Sequence, residues 1–285
     1  MMISLPDFSF KRPKTLKEAI DLLDQHRGKC VILAGGTDLI SDMRARVKVP
    51  EVVIDIKNIE ELVKVTYTPG KGLHIGAAAP INDVLKEPAV EKRYRCLYDS
   101  LSDLCDAIIR YRATIGGNIC TASPAGDSAP SLLVLGASVE IQGPGGTRII
   151  DLQDFFLGVK KNSLAQNEIV KAILVPDFPE GSLSRYYKMK RGAEDLAVVG
   201  TAGIHHQDGK VLLAYSSVAP KPVLVDVTDK INQGKTLDEK ADLAVNMALE
   251  TVKPISDVRG SAGYRKHLVD ITTRFVLMEI LGGKE

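Results

Sequence analysis

Two double-glycine segments constrain this chain more than anything else in it: Ala34-Gly35-Gly36-Thr37-Asp38, which follows an apolar run at 30–33, and Thr114-Ile115-Gly116-Gly117-Asn118. Without a Cβ, paired glycines let the main chain take positive φ and let consecutive N–H groups converge. An anion can then be held by backbone donors instead of by lysine or arginine. The spacing is not G-x-G-x-x-G, so a Rossmann nucleotide site is not implied. One such segment alone usually means no more than a strand-to-helix turn. Two in one chain suggest a diphosphate-bearing cofactor held between them.

The periodicity around these segments alternates between strand and helix. Thr15 and Glu18 have capping-box spacing, and Leu16, Ala19, Ile20 and Leu23 follow at helical intervals, which predicts a helix over 15–26. A strand is expected over 30–33. Thr37 is placed to cap a helix carrying Leu39, Ile40 and Met43, and a second strand is expected over 51–56. The next block predicts a strand at 73–77 and a short helix at 82–86 that Pro88 ends. A long helix should follow over 91–110, on the stripe Leu97, Leu101, Leu104, Ile108 and Ile109. The second glycine segment reads as a loop that continues through the polar stretch 121–128. Residues 139–152, broken at 143–146, read as a hairpin.

Two prolines and a glycine within 176–181 mark a domain boundary. Beyond it, strands are expected at 185–191, 197–206 and 211–218, the last two joined across Asp208-Gly209, and helices at 237–252 and 264–281. This remainder reads as a self-contained antiparallel unit. The fold class is α+β, with one domain over 1–176, divided at about residue 57, and a second over 177–285.

Several functions are excluded. A formal charge of +1 with interspersed signs offers no field for nucleic acid or an anionic membrane. The first residues lack a basic segment followed by an apolar one, and no apolar stretch approaches spanning length, so a cytoplasmic protein without membrane insertion is expected. Cys30, Cys96, Cys105 and Cys120 form no C-x-x-C pair and read as reduced thiols, mostly buried. His205 and His206 point to opposite faces of a strand and read as surface residues without a metal. No nucleophile elbow, H-E-x-x-H or P-loop pattern occurs, so no catalytic side chain is expected and the chemistry belongs to a bound cofactor. Within the polar stretch, Asn118 can offer its amide, and Thr121 and Ser123 can donate to phosphate. Asp127 can either accept from ribose hydroxyls or cap the helix beside Ser128.

Four segments carry a family resemblance: AGGTDLI at 34–40, TIGGNICTASPAGD at 114–127, RYYKMKRGAEDLA at 185–197 and SDVRGSAGYRKHL at 256–268. In order and extent the chain resembles the FAD-binding medium subunits of the molybdenum hydroxylase family. That family includes xanthine dehydrogenase, carbon monoxide dehydrogenase and related purine, aldehyde and N-heterocycle oxidoreductases. The resemblance implies a two-subdomain FAD-binding domain of the PCMH/vanillyl-alcohol-oxidase type, followed by a C-terminal domain of the CO dehydrogenase flavoprotein type. It implies FAD on this chain, molybdopterin on a large partner subunit and [2Fe-2S] clusters on a small one, with NAD or another molecule as final acceptor. It places the FAD diphosphate against Gly35, Gly36, Thr37 and Asp38, with Ile32, Leu33, Ala34 and Leu39 alongside. Thr114, Gly116, Gly117, Asn118, Thr121 and Asp127 complete the pocket, and Val170, Lys188, Asp195 and Leu196 lie near the isoalloxazine ring. Leu196 stands where some relatives have an aromatic residue, and Thr37-Asp38 replaces a His-Ser pair. The competing readings are a stand-alone FAD oxidoreductase of related fold and a scaffold that has lost FAD.

Overall fold

In the computed structural model, which describes residues 4–282, the strands form sheets of three, five and four members and a two-stranded ribbon. The first sheet is parallel, in the spatial order Ser9–Lys11, Val52–Asp55, Cys30–Leu33. Alternation along its central strand decides what packs where. Val52 and Ile54 meet Leu16, Ala19, Ile20 and Leu23 of the helix Leu16–Gln25, whereas Val53 meets Leu39 and Met43 of the helix Leu39–Arg44. The Thr15 hydroxyl accepts the Glu18 N–H at 3.2 Å, as its spacing predicts, and the Glu18 carboxylate reaches back to the Lys14 N–H at 2.8 Å. Strand Cys30–Leu33 lies at the sheet edge, half-buried throughout, and delivers the chain into the first glycine segment.

The second sheet is antiparallel, in the order Val65–Thr68, Gly72–Gly76, Ile169–Val175, Ser138–Gly143, Gly146–Asp151. Its last two strands are the hairpin read from the sequence; its central strand is not among the expected ones. The long helix predicted over 91–110 is instead three: Pro88–Lys92, Arg95–Ser102 and Ala107–Arg110. Pro88 opens a helix rather than closing one, because a proline in the first turn forfeits no hydrogen bond. The chain breaks again at Cys105, which has φ +48°, and Asp106 caps the next turn by accepting the Ile109 N–H at 2.7 Å. Leu97, Leu101 and Leu104 are core, whereas Ile108 is 77% exposed, so the apolar stripe does not continue inward past the break.

The four-stranded antiparallel sheet runs Leu183–Met189, Val199–His205, Val211–Ser216, Val223–Asp226, with Gly209 at φ +90° in the expected hairpin turn. One face, with Val199, Leu213 and Tyr215, packs on the helices Leu237–Thr251 and Ala262–Leu281. The other, with Tyr186, Ala202, Ile204, Leu212 and Ala214, joins the core built on Leu97, Ile115, Leu132 and Ile173. The C-terminal sheet therefore serves two cores and is less separate than the composition suggests. The linker is fastened as well: the Asp177 carboxylate accepts from Arg93 Nη2 at 2.8 Å, Tyr67 Oη at 3.0 Å and the Gly70 N–H at 2.8 Å. His205 and His206 are half-buried rather than superficial. Nδ1 of His205 lies 3.2 Å from Ile280 O, and the His206 ring stands edge-on to Phe178. No described helix is long and apolar enough to cross a membrane.

Candidate functional site

The two glycine segments lie against each other. A Cβ on Gly35 would overlap the carbonyl of Arg112, so its main chain packs directly on the residues that lead into Thr114. Eighty-three residues apart in sequence, Thr121 Oγ1 and the Asp38 carboxylate are joined by a 2.8 Å hydrogen bond. Gly36 has φ +82° and makes the turn out of the edge strand. Gly116 is pressed on Ala77, whose carbonyl a Cβ would overlap. Gly117 is different: a Cβ there would meet only Thr114 Oγ1, at 3.0 Å, with open space otherwise.

The second segment is not a loop. Gly116 and Gly117 sit in the first turn of the helix Ile115–Thr121, and Thr114 is its N-cap, accepting the Gly117 N–H on Oγ1 at 2.9 Å and the Asn118 N–H on its carbonyl at 3.0 Å. Two glycines are poor helix formers and hide the helix from propensity; the threonine ahead of them was its signal. Thr37 does not cap the first helix either. That helix begins at Leu39, with Asp38 in the cap position and its carboxylate committed to Thr121. With only six residues it adds little dipole, so an anion here depends on individual N–H groups. Among the described residues, no acceptor meets the N–H groups of Gly35, Gly36, Thr37, Asp38 or Gly116. Ile32, Leu33 and Ala34 are half-buried beside them and Leu39 is buried beneath.

The polar stretch is more structural than its composition suggests. Asn118 Oδ1 accepts from Ser128 Oγ at 2.6 Å, the Asn118 amide nitrogen meets no acceptor among the described residues, and Ser123 Oγ accepts the Ala125 N–H at 3.3 Å within a turn. Asp127 occupies the cap position read from the sequence, ahead of the helix Ser128–Val134, but it makes no side-chain capping bond and its carboxylate is used elsewhere. Its side chain, 4% exposed, accepts from Lys188 Nζ at 2.9 Å and Tyr186 Oη at 3.2 Å. The Lys188 side chain is 1% exposed and also donates to Asp103 O at 3.3 Å. Burial pushes the Asp127 carboxyl above the ordinary aspartate range, against the opposing pull of Lys188 and Tyr186. Burial likewise drives the Tyr186 phenol well above its usual value.

Around this pair gathers the loop between strands Leu183–Met189 and Val199–His205. Lys190 Nζ bonds the Asp103 carboxylate and, at 2.8 Å, Ala193 O. Asp195 lies 3.6 Å from Arg191 Nε, and Leu196 stands 54% exposed. Val170 is brought to none of these groups by its side chain, which is buried in the core of the strand Ile169–Val175. Tyr186, Asp103 and Lys190 escaped sequence reasoning. Tyr186 and Lys188 share a strand face by simple alternation, but nothing local names their acceptors. The cysteines are all free, and burial raises the Cys96 and Cys120 thiols to about 12, out of the reactive range.

Comparison with known proteins accounts for nearly the whole chain. The family described as the FAD binding domain in molybdopterin dehydrogenase matches residues 6–178, and the CO dehydrogenase flavoprotein C-terminal domain matches residues 184–280. The carbon monoxide dehydrogenase medium chain of Hydrogenophaga pseudoflava is 32% identical over 91% of this chain and 92% of its own length. The xanthine dehydrogenase FAD-binding subunit of Escherichia coli O157:H7 is 31% identical, over 97% and 98% respectively. Among solved structures, carbon monoxide dehydrogenase from Hydrogenophaga pseudoflava superposes with a TM-score of 0.91 at 30% identity, covering 98% of this chain and 99% of the matching one.

Proposed function

The chain belongs to the FAD-binding medium subunits of the molybdenum hydroxylase family, and from that premise we propose that it holds FAD between its two double-glycine segments and relays electrons from the [2Fe-2S] clusters of a partner subunit to NAD or another acceptor. The observation that carries the reading is the row of unmet N–H groups at Gly35, Gly36, Thr37, Asp38 and Gly116, beside the open Cα face of Gly117. Gly116 is buried, Gly35, Gly36 and Thr37 are half-buried and Asp38 is exposed, so these donors are open to an outside ligand, and a diphosphate supplies several acceptors at once. Thr121, by holding Asp38, keeps the two walls together, and the Asn118 amide and the Thr114 cap shape the second wall. Ile32, Leu33, Ala34 and Leu39 offer the apolar floor.

On the ring side we assign Asp195 and the exposed Leu196 to direct approach. Asp127, Lys188 and Val170, enclosed in the fold, contribute through position. The bound flavin supplies both one- and two-electron redox chemistry, so this chain needs no nucleophile and no acid–base residue. Molybdopterin and the clusters belong to the large and small partners, and substrate choice goes with the former. Free thiols throughout favour a cytoplasmic setting.

Reconstitution tests the reading. The purified chain mixed with FAD should acquire a flavin absorbance spectrum that survives gel filtration, and in the assembled complex its flavin should be reduced by substrate and reoxidised by NAD or a dye. A chain that stays colourless overturns the cofactor assignment. A bound flavin that substrate cannot reduce in the complex overturns the relay.

A further inference from the structure

The segment SDVRGSAGYRKHL at 256–268 has no part in the site described above, yet it grips the loop that carries Leu196. Asp257 and Gly260 exchange both main-chain hydrogen bonds, at 3.1 and 3.2 Å, in a tight turn whose tip, Val258, is 91% exposed. Arg191 Nη1, at the start of the loop, donates to Val258 O at 3.1 Å. Arg259 Nη1, held by Asp257, reaches Ala197 O at 3.5 Å at the other end. Arg265 does most. Its residue is 1% exposed, and it donates from Nη1 to Val198 O at 2.9 Å and Ser217 O at 2.6 Å, and from Nη2 to Asp257 Oδ1 at 2.6 Å. Ser217, at φ +66°, passes the constraint on: its Oγ donates to Ala197 O at 2.9 Å and its N–H to Pro124 O at 2.6 Å, inside the polar stretch.

The three acceptors are divided between Nη1 and Nη2, positions that the single ammonium nitrogen of a lysine cannot occupy together, so lysine is not a conservative replacement here. A guanidinium this deeply buried costs stability unless several acceptors surround it. Asp257 is kept charged for the purpose, its carboxyl held far below the usual range by Arg259 and Arg265. Nε of Arg265 has no partner among the described residues, a cost that a side chain present only to fill space would not carry.

We infer that Arg265 is a positioning residue of the flavin site: by fixing residues 191–198 it sets where Leu196 lies and how far the flavin is screened from solvent and acceptor. The inference rests on the assignment of Leu196 to the flavin ring. It is tested on the full chain with Arg265→Lys, Asp257→Asn and Leu196→Ala. Without FAD, the first two should lose about tenfold of the amide-exchange protection over 191–198, the change in an opening equilibrium that about 1.4 kcal/mol produces, while protection of the Leu16–Gln25 helix holds. With FAD, iodide quenching of flavin fluorescence should rise in both toward the level of Leu196→Ala, and adding Leu196→Ala to Arg265→Lys should raise it no further. Unchanged exchange over 191–198, or unchanged quenching with exchange raised, overturns the positioning role alone. Quenching unaffected by Leu196→Ala removes Leu196 from the ring and overturns both that assignment and this inference, whereas a wild-type chain that takes up no FAD overturns the cofactor reading itself.

Discussion

Four glycines that look alike in the sequence do three different things. Gly35 and Gly116 exist for backbone-on-backbone packing, against Arg112 and Ala77, and Gly36 for a turn at positive φ. Gly117 alone leaves space unfilled. Substitution should separate these roles. Gly117→Val puts its Cβ 3.0 Å from the capping Thr114 Oγ1, with no other atom within reach of that Cβ, so the chain should still fold, at a cost no greater than losing that cap, about 1 kcal/mol, and fail to take up FAD. Gly116→Ala forces a methyl into the Ala77 carbonyl and should destabilise the fold by about 1–3 kcal/mol, the usual cost of overpacking, visible in urea unfolding without any cofactor. Undiminished FAD affinity in Gly117→Val would mean that this turn does not face the cofactor.

At the scale of elements, the strand Leu183–Met189 crosses from the C-terminal part to the cofactor-binding part and brings Lys188 and Tyr186 to Asp127. Lys188→Met leaves that carboxylate buried without its cation and should cost about 3–5 kcal/mol of stability; Asp127→Asn added to it should recover much of the loss, because no charge then remains enclosed. The pH dependence follows from the direction of the shift. Asp127 has its folded value raised above the ordinary 3.8, so protonation favours the folded state. Its contribution is fully present below about pH 4 and is lost as pH rises through the folded value. The deficit of Lys188→Met, measured by urea unfolding, should therefore shrink as pH falls toward 4; a pH-independent deficit would place its origin in packing. This pairing was not legible in the sequence, since its members lie sixty-one residues apart and each reads locally as something else. The helix Leu16–Gln25, the two hairpins and the two C-terminal helices were legible because periodicity and caps are local signals. The break at Cys105 and the central strand Ile169–Val175 were not. One depends on a positive φ that cysteine seldom takes, the other on neighbours distant in the chain on both sides.

The sharing of one sheet between two cores sets how the whole molecule unfolds. The two family matches cover residues 6–178 and 184–280, and we propose a division at residue 176, at the composition break. The strands Val199–His205 and Val211–Ser216 are nonetheless buried on both faces, so removing residues 177–285 would strip Tyr186, Ala202, Ile204, Leu212 and Ala214 from the core that holds Leu97 and Leu132. Removing residues 1–176 would expose the same sheet from the other side. Neither part can open without placing apolar surface in water, at roughly 25 cal/mol for each Å². Arg93, Tyr67 and Gly70 hold the linker through Asp177 and oppose a hinge there. The chain should thus melt in one transition, with calorimetric and van't Hoff enthalpies equal, although it carries two domains. Fragment 1–176 expressed alone should aggregate or bind a dye for exposed apolar surface, and co-expression with 177–285 should rescue it. Two resolved transitions, or a soluble, cooperatively folding 1–176, would show that the shared sheet contributes less than its burial indicates.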